Sequence, residues 1–177
     1  GVVAREVCKH REKGLAKNSF NPDIVVVGEM RGAEANAAQE AARTGVAVLT
    51  TIHSNSCEAT YRRMVSLCKR AVDMSDATLM DYVTEAYPIV VFCKQLENKQ
   101  RRMMEIQECE ILPDGTRHFR PLFQYVIEEN RMEEGNFIIE GHHRQVNTIS
   151  ESLAKRLLEN GMPQPIIIAL REGVKTA

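Results

Sequence analysis

The chain has 177 residues, 44% of them hydrophobic and 27% charged, with a formal net charge of −1. That hydrophobic share supports a packed core and excludes disorder, the length suits one domain with a small appendage, and near-neutral charge gives no overall pull toward nucleic acid. No apolar run approaches the ~20 residues a bilayer crossing needs, no signal-peptide pattern stands at the start, and the opening Gly1 in place of Met reads as a fragment or a processed chain.

Residues before Asn18 read as a weakly patterned helix with Lys9, Arg11 and Lys13 on it, and Asn18 to Asp23 as a turn that Pro22 enforces. Ile24 to Val27 is a run of four β-branched residues, the pattern of a strand buried on both faces. Gly28 and Glu29 follow it, which puts a carboxylate at the C-terminal edge of a parallel sheet, where such folds bind ligands. Ala33 to Thr44 is alanine-rich and stops at Gly45, so it predicts a helix able to lie close to the sheet. Val46 to Ile52 is a second buried strand, ending in His53-Ser54-Asn55-Ser56.

Asn55 and Glu58 have capping-box spacing, and Tyr61, Met64, Val65, Cys68 and Val72 fall on one face of the helix that follows. Ser75 caps a further short helix carrying Leu79, Met80 and Val83, and Pro88 introduces a strand over Ile89 to Cys93. Arg101–Leu112 and Thr116–Glu128 flank Pro113-Asp114-Gly115, a hairpin signal. Phe119, Phe123, Tyr125 and Ile127 interleave with His118, Arg120 and Gln124 there, which predicts an antiparallel extension of the parallel sheet. Arg131 to Gly135 reads as a polar break. Thr148 and Glu151 form a second capping box before a helix with Ile149, Leu153 and Leu157; Asn160-Gly161 ends it, and Ile166 to Leu170 packs back onto the core.

Cys8, Cys57, Cys68, Cys93 and Cys109 are odd in number, scattered and without a C-x-x-C pair, which reads as free, mostly buried thiols in a reducing compartment. No metal site is expected: His142-His143 lacks partners at ligand spacing and reads as a solvated loop.

A buried strand ending in an acid is what a nucleotide-hydrolysing motor needs to hold magnesium or orient attacking water. The plainer alternative for Glu29 is a strand-end carboxylate facing water. Arg31 and Glu34 lie within the following turn and helix start, and they are close enough to pair as a structural bridge. The neighbouring strand ends in Thr50-Thr51-Ile52-His53, so its hydroxyl and imidazole groups face the same crevice as Glu29 and can donate to a terminal phosphate. The plainer alternative for His53 is a capping or loop histidine. No G-x-x-x-x-G-K-[ST] phosphate loop occurs; Gly14-Leu15-Ala16-Lys17 lacks the glycine before lysine.

These residues resemble the secretion and pilus traffic ATPases of prokaryotes, the type II/type IV secretion and Flp-pilus (CpaF-like) group. The family's Walker B element is matched by Pro22-Asp23, Ile24 to Val27, Gly28-Glu29, Arg31-Gly32 and Glu34. Thr44-Gly45, Thr51 and His53 match its histidine box, with Val46 standing where the first box histidine falls and Asn21 near where the family has arginine. Glu105, Ile106 and Glu108 before the Asp-Gly turn, with Leu122-Phe123 after it, are similar to the family's C-terminal portion, so the resemblance runs from about Ala4 to Glu128. It implies an α/β fold, the C-terminal part of a RecA-like P-loop ATPase core over residues 1–130, with the antiparallel hairpin as an extension and a helical tail over 131–177.

The resemblance further implies ATP and Mg2+ as cofactors of the intact protein. Glu29 and His53 would be catalytic, and Thr51, Arg31 and Glu34 would line the nucleotide site. The protein would be a homo-oligomer, a hexamer when intact, at the cytoplasmic face of the inner membrane beside secretion or pilus platform proteins, with no direct nucleic-acid contact. Lacking a phosphate loop, this chain is expected to be inactive alone. The rival readings are a non-catalytic assembly module that docks to a secretion ATPase and a nucleic-acid motor of related fold, which the near-neutral charge disfavours.

Overall fold

The structure, a computed structural model, describes residues 24–173, so the helix and turn expected before Ile24, and Cys8, lie outside the described residues. The chain divides into two compact units between Tyr87 and Pro88.

In the first unit β1 (Ile24–Val27) and β2 (Ala47–Thr50) pair in parallel, Ile24 opposite Ala47 through Val27 opposite Thr50. Parallel strands need a crossover, and α1 (Glu34–Arg43) supplies it. α1 packs on β2 and on α2 (Cys57–Cys68) and α3 (Asp76–Ala86). Its guanidinium at Arg43 lies 3.7 Å over the Tyr82 ring and donates to Glu85 at 2.9 Å, fastening α1 to α3.

Burial alternates along β1. Val25 and Val27 are in the core, while Ile24 and Val26 are 57% and 54% exposed. The expected burial on both faces is therefore corrected to burial on one. A run of four β-branched residues has no polar alternation to reveal this. The helical face expected of α2 is found: Tyr61, Met64, Val65 and Cys68 are buried, while Val72 lies beyond the helix end. The N-cap is Ser56, one residue past the expected Asn55; its hydroxyl accepts from the Ala59 amide at 3.1 Å. Ser75 caps α3 as expected, accepting from Thr78 at 3.1 Å. Leu79 and Val83 are fully buried, each stabilising the unit by roughly 1.5–3 kcal/mol.

The second unit is an antiparallel meander in the order β3-β4-β5-β6: β3 (Ile89–Gln95), β4 (Arg101–Ile111), β5 (Arg117–Glu133) and β6 (Asn136–Gln145). The hairpin at Pro113-Asp114-Gly115 forms as expected, with Asp114 accepting from the Thr116 amide at 2.9 Å and hydroxyl at 2.6 Å. This four-stranded sheet is separate from the parallel pair, so the expected extension of one sheet is corrected to two sheets. The expected polar break is a two-residue turn: Glu134 and Gly135 have φ of 48° and 81°, the left-handed pair that a tight hairpin requires. Residue 130 accordingly falls inside β5, and residues 131–145 complete a hairpin where a helical tail was expected.

His142 and His143 sit on β6, not in a loop. The His143 ring lies 5.0 Å from that of Tyr125, and its Nε2 donates to the Met103 carbonyl at 3.0 Å. Opposite Ile127, Gly141 leaves no room for a side chain: a Cβ there would come within 2.2 Å of the Val126 carbonyl oxygen.

Helices α4 (Glu151–Glu159) and α5 (Gln164–Glu172) complete the unit. Ile149, Leu153 and Ile167 pack with Leu122 of β5, so only part of the Ile166–Leu170 stretch turns inward; Ile166 and Ile168 are exposed. Ser150, not Thr148, caps α4, accepting from the Leu153 amide at 3.0 Å. Its own amide donates to Glu108 Oε2 at 2.9 Å and its hydroxyl to Glu108 Oε1. The Glu108 carboxylate is buried, so these two bonds answer the cost of desolvating it.

Cys57, Cys68 and Cys109 are free and buried, and Cys93 is free and exposed. Burial pushes the Cys68 and Cys109 thiols up to about 11, which keeps them protonated and unreactive at neutral pH.

Two outcomes are expected. Ser150→Ala removes a helix cap and one donor to a buried carboxylate, and urea unfolding of the variant should show a loss of about 2–4 kcal/mol. Gly141→Ala forces the β5–β6 ladder apart and should cost about 1–3 kcal/mol, with amide protection lost selectively around Val126 and Ile127 in hydrogen-exchange measurements.

Candidate functional site

The site is built where β1 and β2 end. Val27 opposite Thr50 closes the regular ladder, yet pairing continues past it: the Met30 amide donates to the Thr51 carbonyl at 2.9 Å, and the Thr51 hydroxyl donates to the Gly28 carbonyl at 2.5 Å. Met30 is buried. The backbone is therefore held on both sides of Glu29, and its side chain leaves a fixed point at the strand tip.

Glu29 and His53 come together. His53 Nε2 lies 3.1 Å from Glu29 Oε1, with the Glu29 side chain 27% exposed and the His53 side chain 90% exposed. The ring is not aligned to donate, and Glu29 Oε1 is a buried acceptor with no hydrogen bond. Arg31 pairs with the other carboxylate oxygen, Nη2 to Oε2 at 2.5 Å. The Arg31 hydrogen bond holds the Glu29 carboxyl below its usual range, against a smaller opposing effect of burial; the charges of Arg31 and His53 add to the lowering. The same pairing raises Arg31.

The remaining expected site residues take structural places. The Glu34 carboxylate accepts from the Arg31 and Gly32 amides at 2.6 and 2.8 Å, closing the N-terminus of α1, where backbone donors have no helical partner. Thr51 has its hydroxyl engaged by the Gly28 carbonyl. A further contributor is Arg70, just past the end of α2, whose guanidinium donates to the Arg31 carbonyl at 2.8 Å. Nothing local in the sequence marks Arg70, because its partner is 39 residues away.

A carboxylate on one parallel strand tip and an imidazole on the next lie side by side at the carboxyl end of the parallel pair, the end at which α/β sheets take ligands. A family model of the Type II/IV secretion system protein matches residues 19–162, and the chain belongs to that family. No curated protein matches it. Among solved structures it is similar to the VirB11 ATPase from the Brucella suis type IV secretion system, crystallised in complex with sulphate: 17% identity, TM-score 0.49, over 60% of this chain and 31% of that one. The chain thus spans about a third of that protein's length. No helix among the described residues is long and apolar enough to cross a membrane.

Replacing Arg31 with alanine removes the largest cause of the lowered Glu29 value. The Glu29 carboxyl should then titrate nearer its ordinary 4.5, as followed by carboxyl-carbon NMR. The sign follows from linkage. A depressed carboxyl stabilises the fold above its ordinary value, and that contribution is lost as pH falls through the depressed one. The acid limb of a stability profile should therefore flatten in the variant.

Proposed function

We propose that this chain is the Walker B and histidine-box portion of a RecA-like ATPase domain. The intact protein would assemble as a ring, a hexamer, at the cytoplasmic face of the inner membrane and drive secretion, pilus assembly or conjugative transfer by ATP hydrolysis. The observation that carries this reading is the Glu29 carboxylate. It is fixed at a parallel strand tip, ionised against Arg31, and has one buried oxygen that accepts no hydrogen bond from the protein beside His53. That is the disposition expected of a group that orients attacking water.

The donor set fits one end of a magnesium–nucleotide site. Bound there, Mg2+ and ATP supply the electrophilic γ-phosphorus and neutralise the charge that develops on its oxygens. Glu29 would accept a proton from water through Oε1. His53, exposed and able to swing away from Glu29, would donate to a γ-phosphate oxygen. Arg31 acts as a positioning residue, holding Glu29 ionised and aimed. Thr51 and Glu34 contribute by fixing the two loops rather than by touching nucleotide. The backbone cradle and lysine of a phosphate loop are not encoded in these 177 residues, so hydrolysis requires that loop from elsewhere.

The second reading is a non-catalytic module that docks to an ATPase ring. In protein carrying a phosphate loop ahead of these residues, Glu29→Gln should lower kcat by about 100-fold or more while nucleotide affinity is retained, and the 177-residue chain alone should show no magnesium-dependent turnover. Full activity in the Glu29→Gln variant would remove Glu29 from the chemistry, whereas no turnover by the unaltered protein with its phosphate loop present would leave the docking module as the better reading. Turnover by the pure 177-residue chain, abolished by Glu29→Gln, would overturn its inactivity.

A further inference from the structure

β4 pairs with β5 only as far as Gln124, opposite Glu105. β5 runs on to Glu133 with β6 as its one partner, a ribbon about 30 Å long at ~3.3 Å per residue. A free two-stranded ribbon is marginal in water. Its two faces differ. Arg131 pairs with Glu129 at 3.1 Å and with Glu133 and Glu140 at 2.6 Å each, so these four side chains share a face. Alternation then puts Met132 and its cross-strand partner Phe137 on the other face, where they are 64% and 48% exposed. The arginine clamp stiffens an arm that presents apolar surface to solvent. Glu128, Glu129, Glu133, Glu134 and Glu140 outnumber Arg131 and His142, which lies 3.1 Å from Glu128, so the arm is acidic.

The meander places the β3–β4 turn at the same end of the sheet as this arm, and that turn has the opposite sign. Lys94, Lys99, Arg101 and Arg102 stand there against Glu97. None of the four forms an ion pair with a described residue. Lys94 and Arg102 are directly opposite in the ladder, an arrangement that like charges disfavour. The arm meets the same difficulty at Glu129 opposite Glu140 and resolves it with Arg131. At Lys94 and Arg102 no described carboxylate does so. Next to the turn, the edge strand β3 leaves Val91 53% exposed. The helical layer packs on Ile106, the cross-strand partner of Val91, and does not cover Val91 itself.

We propose that the acidic β5–β6 arm of one copy docks on the basic β3–β4 turn and β3 edge of a second copy. The arm's carboxylates meet Lys94 and Arg102, and Met132 and Phe137 cover Val91. A second copy is the occupant because both halves of the contact, matched in charge and each with exposed apolar surface, belong to one chain. With both at one end of the sheet, a single two-fold axis would let each arm reach the other copy's turn, so that the contact is made twice. The contact is independent of chemistry at Glu29.

Sedimentation of the 177-residue chain over a range of concentration and salt tests this. The chain should self-associate reversibly, and more weakly as salt rises. The variants Glu128→Lys/Glu134→Lys and Lys94→Glu/Arg102→Glu should each weaken association tenfold or more. An equimolar mixture of the two should restore it, since each reversed arm then meets a reversed turn. Circular dichroism verifies that each variant is folded; should one not fold, Phe137→Ser gives the same readout without changing charge. A chain monomeric at every concentration, reversals without effect, or a mixture that stays apart would overturn the proposal. So would a monomeric chain whose basic turn binds vesicles of anionic lipid.

Discussion

The parallel pairing of β1 and β2 does not stop where the ladder stops, and the candidate site depends on that. Two bonds beyond the last ladder pair, Met30 amide to Thr51 carbonyl and Thr51 hydroxyl to Gly28 carbonyl, tie one loop to the other. Without them Glu29 and His53 would leave the sheet on independent segments, and an exposed imidazole has little of its own to hold it near a carboxylate. The juxtaposition of the two strand tips is thus set by backbone, and the ionisable groups are placed by it. Glu34 and Arg70 extend the same frame, one closing the start of α1 through the amides of Arg31 and Gly32, the other binding the Arg31 carbonyl from beyond α2.

The second unit is held by a different device. Glu108 is a buried carboxylate that receives both the amide and the hydroxyl of Ser150, so the cap of α4 is also its attachment to β4. A single residue there joins helix start, sheet and desolvated charge. Burying an acid is costly, and it is tolerated where donors are fixed and water is excluded. The apolar contacts of Leu122 with Ile149, Leu153 and Ile167 close over the same seam.

Much of this was legible in the residues themselves. Two β-branched runs separated by an alanine-rich helix, each followed by polar groups, specified the β-α-β unit and brought Glu29 and His53 to one side. The Asp-Gly hairpin and the Ser75 cap were equally plain, because their signals are local. What escaped was set by neighbours. Asn55 and Thr148 have capping-box spacing, but Ser56 and Ser150 take the caps, since in each case the helix begins one or two residues later. Burial of β1 on one face only could not be read from Ile24–Val27, a run with no polar member. The polar stretch at Arg131–Gly135 looked like an interruption because its charges satisfy one another across a turn, a pairing that appears only once β5 and β6 are side by side.

That cluster has a consequence for how the protein meets acid. Arg131 holds the Glu140 carboxyl below its ordinary range, chiefly through the hydrogen bond between them. Neutralising Glu140 therefore takes more acidity than neutralising a free side chain. The Arg131–Glu140 pairing outlasts mild acidification and is released only below the ordinary carboxyl range, while the backbone ladder of β5 and β6 holds irrespective of it.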